Sequence, residues 1–438
     1  MSAVTFTGLS SGIDTASLVS QLVAAERAPA DAITQKQSDL NTQKSIVSSL
    51  SSALAALGTA VQGMNLASEL QPRTASSSDS HVTVAASSGA AATVHDIRVQ
   101  SLARGQISSS RSFATQTAGV LGDGSLKITT GSATSTINYA STDSLADVAA
   151  KINNANAGAS ASVLFDGTSY RLMVAATQTG TANAPQFTET GDGLGLANPA
   201  NIKIAATDAK ATIDGVDVTR SSNVIGDAID GLTLTLNSAH ATAEPSSNVT
   251  VALDTTSVAN KLTAMVSAYN SVNSALHVQL DYTGTQKGTD TLFGDSTLRQ
   301  LQGALGNIMG SAYGTGANNT LGSLGLTRDT SGALTLDTTK LNAALAKNPN
   351  AVADVFVTGG FANTVNTMTT AYTRAGDGIL AAKTASMTSR FSDLQTQADQ
   401  INNRADSLKT QLDAQFAALE TAMTAMKQQS AYLTSVLG

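Results

Sequence analysis

Cysteine is missing from this chain, and charged side chains are scarce. None of its 438 residues is a cysteine, so the sequence excludes disulfides, a thiol nucleophile and a zinc–thiolate site. The absence suits a cytoplasmic protein. It equally suits a protein that is exported through a narrow conduit as an uncrosslinked chain.

Charged residues make up 13% of the chain, about half the share that is usual in globular proteins. The net charge is −7, and lysine and arginine form no cluster. We therefore expect no nucleic-acid partner and no binding to an anionic membrane surface. Because no apolar stretch approaches the length of a membrane span, we also expect no transmembrane helix.

The opening residues, MSAVTFTGLSSGIDT, lack the basic segment and the long apolar segment of a secretory signal peptide. If the protein leaves the cell, we expect it to use a route without a cleaved signal. At this length, two to four domains are expected.

A long helical repeat runs from residue 387 to residue 438. Its apolar positions alternate in steps of three and four, which keeps one stripe against a partner helix over many turns. A step of eight residues from Leu408 to Phe416 is a phase slip that locally unwinds a coiled coil. About 50 residues make a rod of roughly 75 Å, too long to bury its stripe within a compact domain. A partner helix is expected, from this chain or from a neighbouring subunit.

A second repeat lies near the other end of the chain. Apolar residues recur every seven positions from Ile33 to Val61, and a shorter amphipathic run before them ends at Pro29. We predict a helix in each segment, separated at the proline. Packing of the two chain ends within one subunit and packing between subunits both remain open.

From about residue 75 the hydrophobic period changes from 3.5 to 2, as in antiparallel strands. Asp166-Gly167 and Asp214-Gly215 predict hairpin turns. A helix is expected over 144–155, with Ser144 and Asp147 forming a capping box. The segment 177–200 shows no period and contains two prolines, so we predict a loop or a lobe boundary there.

The helical period returns after residue 253, with Thr255 or Thr256, Asp295 and Asp337 as predicted helix caps. The predicted fold class is α+β and multidomain: a helical coiled-coil stalk from both termini, a helix-rich second domain and two β-rich head lobes. The predicted boundaries are 1–40 with 390–438 for the stalk, 41–75 with 250–389 for the second domain, 76–102 with 201–249 for one lobe, and 103–200 for the lobe inserted in it.

No arrangement of residues in the sequence indicates catalysis. The four histidines lie far apart, and none has a second ligand at the spacing of a helical metal site. The glycines at 191–195 lack the lysine of a phosphate-binding loop, and no GxSxG motif occurs. We expect no catalytic residue, no metal and no cofactor.

Several segments carry a family resemblance, in the same order along most of the chain. They include GLSSGIDTASLVSQLVAAERAP (8–29), VHDIRVQSLA (94–103), DGTSYRL (166–172), YNSVN (269–273) and FAALETAMTAMKQQSAYLTSVL (416–437). These segments resemble the flagellar filament-capping proteins, the FliD or hook-associated protein 2 family. The fit is poorest at 177–200.

The resemblance implies a structural protein that is secreted unfolded by the flagellar type III export apparatus and acts at the extracellular filament tip. There it would form a homo-oligomeric ring and promote flagellin folding and polymerisation. The implied partners are other copies of itself, flagellin, the hook-associated junction proteins and a dedicated export chaperone on the C-terminal helix. In such proteins the terminal helices form the leg that meets the filament.

We expect the assembly seam to use the apolar positions of the terminal helices. These positions are Leu408, Leu412, Phe416, Leu419, Met423, Met426 and Leu433, with Leu18, Leu22 and Leu40 opposite. Two other structural functions remain open: a flagellin-like or hook–filament junction protein, and a surface adhesin that binds through the β-rich head.

Overall fold

The computed structural model describes residues 14–280, 288–314, 319–357 and 359–437. The chain divides into two compact units, one formed by residues 1–70 with 259–438 and the other by residues 71–258. The first, the helical unit, joins both ends of the chain, and the second, the β-rich unit, is continuous in sequence. The predicted α+β class is confirmed, whereas the finer division into four parts stays a prediction.

Most helices of the described ranges belong to the helical unit. They are α1 (Thr15–Gln62), α2 (Ala67–Leu70), α3 (Leu145–Asn154), α4 (Thr255–Leu280), α5 (Ser296–Gly310), α6 (Thr338–Lys347), α7 (Pro349–Phe356), α8 (Phe361–Thr373) and α9 (Ile379–Leu437). Of these, α3 lies in the β-rich unit, and α4 begins just before the boundary between the two units.

The predicted break at Pro29 is wrong, because α1 continues through this residue as one helix of 48 residues. A proline inside a helix removes one hydrogen bond and costs roughly 3 kcal/mol. Val23, Ala30 and Ile33 lie on either side of it and are all buried, and α1 packs along α9. Burial of this stripe outweighs the local cost, since tertiary packing supplies most helical stability in proteins.

α1 and α9 run antiparallel and pack against each other within the chain. The Gln37 Nε2 donates a hydrogen bond to the Gln395 Oε1 at 3.0 Å, and Arg27 forms an ion pair with Asp406. α8 packs on the C-terminal part of α1, where a Cβ added at Gly58 would lie 2.8 Å from the Thr369 Oγ1. Glycine therefore permits the close approach of these two helices.

Within the described residues, α1 is the one helix that is long and apolar enough to cross a membrane by length and composition, although the sequence predicted none. Its stretch from Val47 to Val61 mixes serine and threonine with alanine, leucine and valine. The leucines and valines of this stretch are buried, and α1 packs against α8 and α9. This packing accounts for the apolar composition of the helix.

The predicted caps of α5 and α6 are confirmed, since Asp295 and Asp337 accept hydrogen bonds from the first-turn amides. The predicted cap of α4 is wrong. Asp254 accepts from the Ser257 N–H at 2.9 Å, whereas Thr255 and Thr256 already lie inside the helix. A charged carboxylate one residue ahead of the helix is the stronger acceptor for these amides.

The strands belong to the β-rich unit, except for one hairpin in the helical unit. They are β1 (Arg73–Ser77), β2 (Val82–Ala86), β3 (Val94–Ser101), β4 (Ile107–Ser109), β5 (Gly124–Thr130), β6 (Ala133–Tyr139), β7 (Ala159–Phe165), β8 (Tyr170–Ala176), β9 (Gln186–Gly191), β10 (Ile202–Ile204), β11 (Ala209–Ile213), β12 (Val216–Arg220), β13 (Val224–Ile225), β14 (Leu232–Leu236), β15 (Ser247–Leu253), β16 (Leu326–Arg328) and β17 (Leu334–Leu336).

Within the described residues the strands of the β-rich unit form four antiparallel sheets, with the orders β1-β15-β3-β11-β12, β10-β4-β8-β7, β13-β14-β2 and β6-β5-β9. The hairpins at Asp166-Gly167 and Asp214-Gly215 are confirmed as β7–β8 and β11–β12. The capping box of Ser144 and Asp147 at α3 is also confirmed. One buried cluster spans residues 113–196, and another joins residues 82–103 to residues 209–249.

The prediction of a loop over 177–200 is wrong in part, because β9 pairs with β5 along its whole length. Leu194 and Leu196 then enter the buried core. The Glu189 carboxylate accepts hydrogen bonds from the Gly195 and Leu196 amides at 3.0 and 2.8 Å. β9 is an edge strand, and most of its side chains are exposed. Its sequence therefore lacks the apolar alternation by which a strand is recognised.

Candidate assembly surface

The two terminal helices pack less completely toward the C-terminal end of α9. Leu380, Met387, Ala398 and Ala405 are buried, but no later described side chain of α9 is. Leu408, Leu412, Phe416 and Met423 are half-buried. Leu419, Met426 and Leu433 are exposed by 42%, 56% and 53%. The predicted seam therefore divides into a part that packs on α1 and a part that lies open.

The packed part of the seam meets residues on α1 that the sequence analysis missed. Leu412 and Phe416 pack against a small buried cluster of Val19, Val23 and Ala405. Leu18 and Leu22 were expected to face α9. Each directly precedes one of the two buried valines in the sequence, and the two leucines are exposed by 44% and 45%. A signal for Val19 was present, since it lies two heptads before Ile33. Leu40 is buried farther along α1.

The register of the pair shows where the open part begins. Gln37 lies opposite Gln395, and Arg27 lies opposite Asp406. If the same antiparallel register continues, Thr15, the first residue of α1, lies opposite residues 417–418. The last 20 or so residues of α9 extend past this point, over about 30 Å of helix. Along this extension Leu419, Met423, Met426 and Leu433 follow the steps of four, three and seven that keep them on one stripe.

A groove of about 860 Å³ lies beside the packed part of the seam, between α1 and α9. Val19, Val23 and Phe416 line it, together with the charged side chains of Arg27, Asp31, Lys409 and Asp413. An apolar centre with a polar rim is typical of protein–protein interfaces. The groove and the open stripe together form what we call the assembly surface.

The β-rich unit contains a cluster of titratable groups that the sequence analysis also missed. Donor atoms of Asp79, His81 and His240 lie within 4.8 Å of one another. The fold brings the segments of His81 and His240 together by pairing β14 with β2. No local spacing in the sequence could reveal this meeting, because it depends on a long-range strand pairing.

Comparison with protein families gives three matches along the chain. The model of the flagellar hook-associated protein 2 N-terminus matches residues 11–106, and the model of its C-terminus matches residues 206–428. The flagellin hook IN motif matches residues 125–178.

Individual relatives match over nearly the whole chain. The flagellar hook-associated protein 2 of Escherichia coli O157:H7 is 30% identical over 99% of this chain and 98% of the relative. The B-type flagellar hook-associated protein 2 of Pseudomonas aeruginosa is 27% identical over 98% of this chain and 97% of the relative.

The fold is similar to a solved structure as well. The crystal structure of the flagellar cap protein FliD D1-D2-D3 domains from Escherichia coli superimposes with a TM-score of 0.67 at 30% identity. The match covers 78% of this chain and 100% of that one. Sequence and fold agree, and the resemblance found in the sequence is confirmed: the chain belongs to the flagellar hook-associated protein 2 (FliD) family.

Proposed function

We propose that this protein caps the distal end of the bacterial flagellar filament, where several copies form a ring that promotes the folding and polymerisation of flagellin. Membership of the family makes it a flagellar protein, and a structural relative is named a flagellar cap protein. The observation in this chain that supports the proposal is the open stripe of α9. The function requires no catalytic residue, metal or cofactor.

Burial of the open stripe supplies the driving force for assembly. Full burial of one leucine or methionine side chain stabilises a contact by about 1.5–3 kcal/mol. In the proposal Leu419, Met423, Met426 and Leu433 contact a neighbouring subunit or the filament. Leu408, Leu412 and Phe416 hold the stripe to α1, and Leu40 anchors α1. Leu18 and Leu22 offer a second exposed contact on the outer side of the leg.

The same stripe would be a liability before assembly, because exposed apolar surface favours aggregation. A dedicated chaperone that covers the C-terminal part of α9 until export is therefore part of the proposal. The proposal also includes export through the type III apparatus and an extracellular location at the filament tip. It further includes contacts with flagellin and with the hook-associated junction proteins. The absence of cysteine is compatible with passage of an unfolded, uncrosslinked chain.

The test is complementation of a strain that lacks this gene, with filaments counted by electron microscopy and flagellin assayed in the medium. Leu419→Asp with Met426→Asp places two charges on the open stripe. We expect bare hooks and monomeric flagellin in the medium, while the circular dichroism of the purified variant stays native. The matched control is Thr421→Asp with Gln428→Asp, which adds the same charges to the opposite face of α9 and should restore filaments.

Normal filaments and swimming in the open-stripe variant would contradict the proposed role of this surface. The untransformed deletion strain tests the function itself. Bare hooks that leak flagellin support a cap, whereas filaments of normal length would favour a flagellin-like or junction protein instead.

A further inference from the structure

The segment of residues 237–246, which connects β14 to β15, is held by two histidines whose rings stack. His81 lies just before β2 and His240 lies in the segment, with ring centroids 4.1 Å apart and an interplanar angle of 28°. His240 is buried. The stack therefore joins the segment to the strand next to it.

Beyond the end of its pairing with β15, β3 forms its backbone hydrogen bonds at that edge with His240 instead of with a strand. β15 pairs with β3 only from Val94 to Ile97, so Val99 lies beyond the ladder on that side. The His240 N–H donates to the Val99 carbonyl at 2.9 Å, and the Val99 N–H donates to the His240 Nδ1 at 3.0 Å. Val99 is fully buried, and the acceptor of its N–H is the imidazole of His240.

This hydrogen bond fixes the tautomer of His240. Because Nδ1 accepts, the proton of the neutral ring is on Nε2, which lies 3.1 Å from the Ser247 Oγ. The Ser247 hydroxyl in turn donates to the Asp79 Oδ1 at 2.7 Å. The three hydrogen bonds point in one direction, from the buried Val99 amide to the Asp79 carboxylate.

The same tautomer argues against a metal at this cluster, although its donor atoms lie within 4.8 Å of one another. A neutral histidine that binds a cation through Nε2 must hold its proton on Nδ1. Here Nδ1 faces a backbone N–H, which leaves no room for that proton. Protons, and not a cation, are the species to which the arrangement responds.

The charged groups around His240 determine the order in which protons bind. His81 contacts the Glu244 Oε1 through Nε2 at 2.9 Å, and this hydrogen bond raises the pKa of His81. Hydrogen bonds from the Ala241 N–H and from His81 lower the pKa of Glu244. As the pH falls, His81 is therefore charged early, and it gains its ion pair while Glu244 remains ionised.

Asp79 and Arg98 are two further charged groups at the segment, and Asp96 of β3 accepts a hydrogen bond from Ser246 at its end. Burial opposes ionisation of Asp79, but the hydrogen bonds from Ser247 and the His81 amide outweigh it and lower its pKa. Arg98 on β3 donates to the carbonyls of Ala241, Thr242 and Glu244. These bonds hold the rest of the segment to β3 independently of His240.

We propose that His240 is an acid-operated latch: a proton on its Nδ1 releases the 237–246 segment from Val99 of β3. The proton removes the acceptor of the buried Val99 N–H, and an unpaired buried N–H is costly. It also places a second positive charge on a ring stacked against charged His81. Both effects act in the same direction, so acid opens the segment locally at this point.

The experiment is hydrogen exchange of the Val99 amide by NMR, on the full chain, from about pH 7.5 to about pH 5. After correction for the intrinsic exchange rate, we expect protection to fall about tenfold with acid. His240→Gln should remove this pH dependence, because an amide oxygen accepts the Val99 N–H and does not titrate. His95→Gln is the matched control on the same strand and should keep the fall.

A flat profile in the wild-type protein, or an equal fall in His240→Gln, would overturn the latch. If glutamine fails to replace the acceptor, the ¹⁵N shifts of the wild-type His240 ring decide instead. Nδ1 must be unprotonated at neutral pH and must gain its proton together with the change at the Val99 amide. Zn²⁺ alone should leave the exchange unchanged, and protection by zinc would disprove the assigned tautomer.

Discussion

Two apolar stripes with the same helical spacing have opposite environments in this protein. On α1, Leu54, Leu57 and Val61 are all completely buried, and α8 and α9 pack around this helix. On α9, Leu419 and Leu433 are exposed by 42% and 53%, beyond the start of α1. The period of a stripe shows which face of a helix is apolar. It does not show whether the chain itself supplies the partner.

The largest expected difference between the two stripes is in stability. Leu54→Ala should lower the free energy of unfolding of the helical unit by about 2–5 kcal/mol, because it opens a cavity in a packed core. Leu419→Ala should change it by less than about 0.5 kcal/mol. Urea unfolding followed by circular dichroism at the helical minimum measures both. Equal losses would mean that the open stripe of α9 is already packed in the isolated subunit.

A smaller effect is expected at the ion pair that ties α5 to the packed part of α9. Lys383 contacts Asp295, and their side chains are only 20% and 18% exposed. Asp295→Asn keeps the helix cap but removes the charge, and we expect a loss of about 1–3 kcal/mol. Asp295→Ala also removes the cap and should cost about 1 kcal/mol more. Similar losses for the two variants would show that the cap contributes nothing.

The same ion pair gives the helical unit an acid-sensitive contribution. Burial raises the pKa of Asp295, but the hydrogen bond and the charge of Lys383 outweigh it, so the pKa is lowered. A lowered pKa adds stability that is complete above the unfolded value of about 3.9 and disappears as the pH falls through the folded value. Thermal unfolding between about pH 6 and about pH 3 should therefore show a smaller decrease in Asp295→Asn than in the wild type.

The smallest effect is expected at an exposed ion pair within the packed part of α9. Arg27 and Asp406 form an ion pair across α1 and α9, with side chains that are 45% and 62% exposed. Arg27→Ala should cost about 0.5 kcal/mol at low salt and nothing measurable at high salt, since exposed pairs are screened. Urea unfolding at both salt concentrations tests this. A loss that salt does not reduce would mean that the arginine stem contributes by packing.

Much of the fold could be predicted from local patterns. The hairpins at Asp166-Gly167 and Asp214-Gly215 need a turn that few other residue pairs can form. Ser144, Asp295 and Asp337 stand directly before apolar helical repeats, where a side-chain acceptor is required. The heptads from Ile33 to Val61 indicated the buried face of α1. In each case the cause lies within a few residues of its effect.

The features that were missed depend on distant contacts. α1 continues through Pro29 because its buried stripe packs along α9. β9 forms a strand because it pairs with β5. The Glu189 carboxylate then accepts hydrogen bonds from the backbone amides of Gly195 and Leu196. Val19 and Val23 replace Leu18 and Leu22 as the contact of Phe416 because the register with α9 sets which face of α1 turns inward. The helix through Pro29 and the strand β9 leave no local pattern to recognise, whereas Val19 could have been found from its heptad spacing to Ile33.

The pairing of α1 with α9 also determines when the helical unit can fold. Gln37 contacts Gln395 across 358 positions of the chain, with the whole β-rich unit between them. During synthesis α1 leaves the ribosome long before α9 exists, whereas the β-rich unit, continuous in sequence, can fold as soon as it emerges. Contacts of such high contact order form slowly. The helical unit can therefore be completed only last, and until α9 is present α1 lacks the helix with which it pairs.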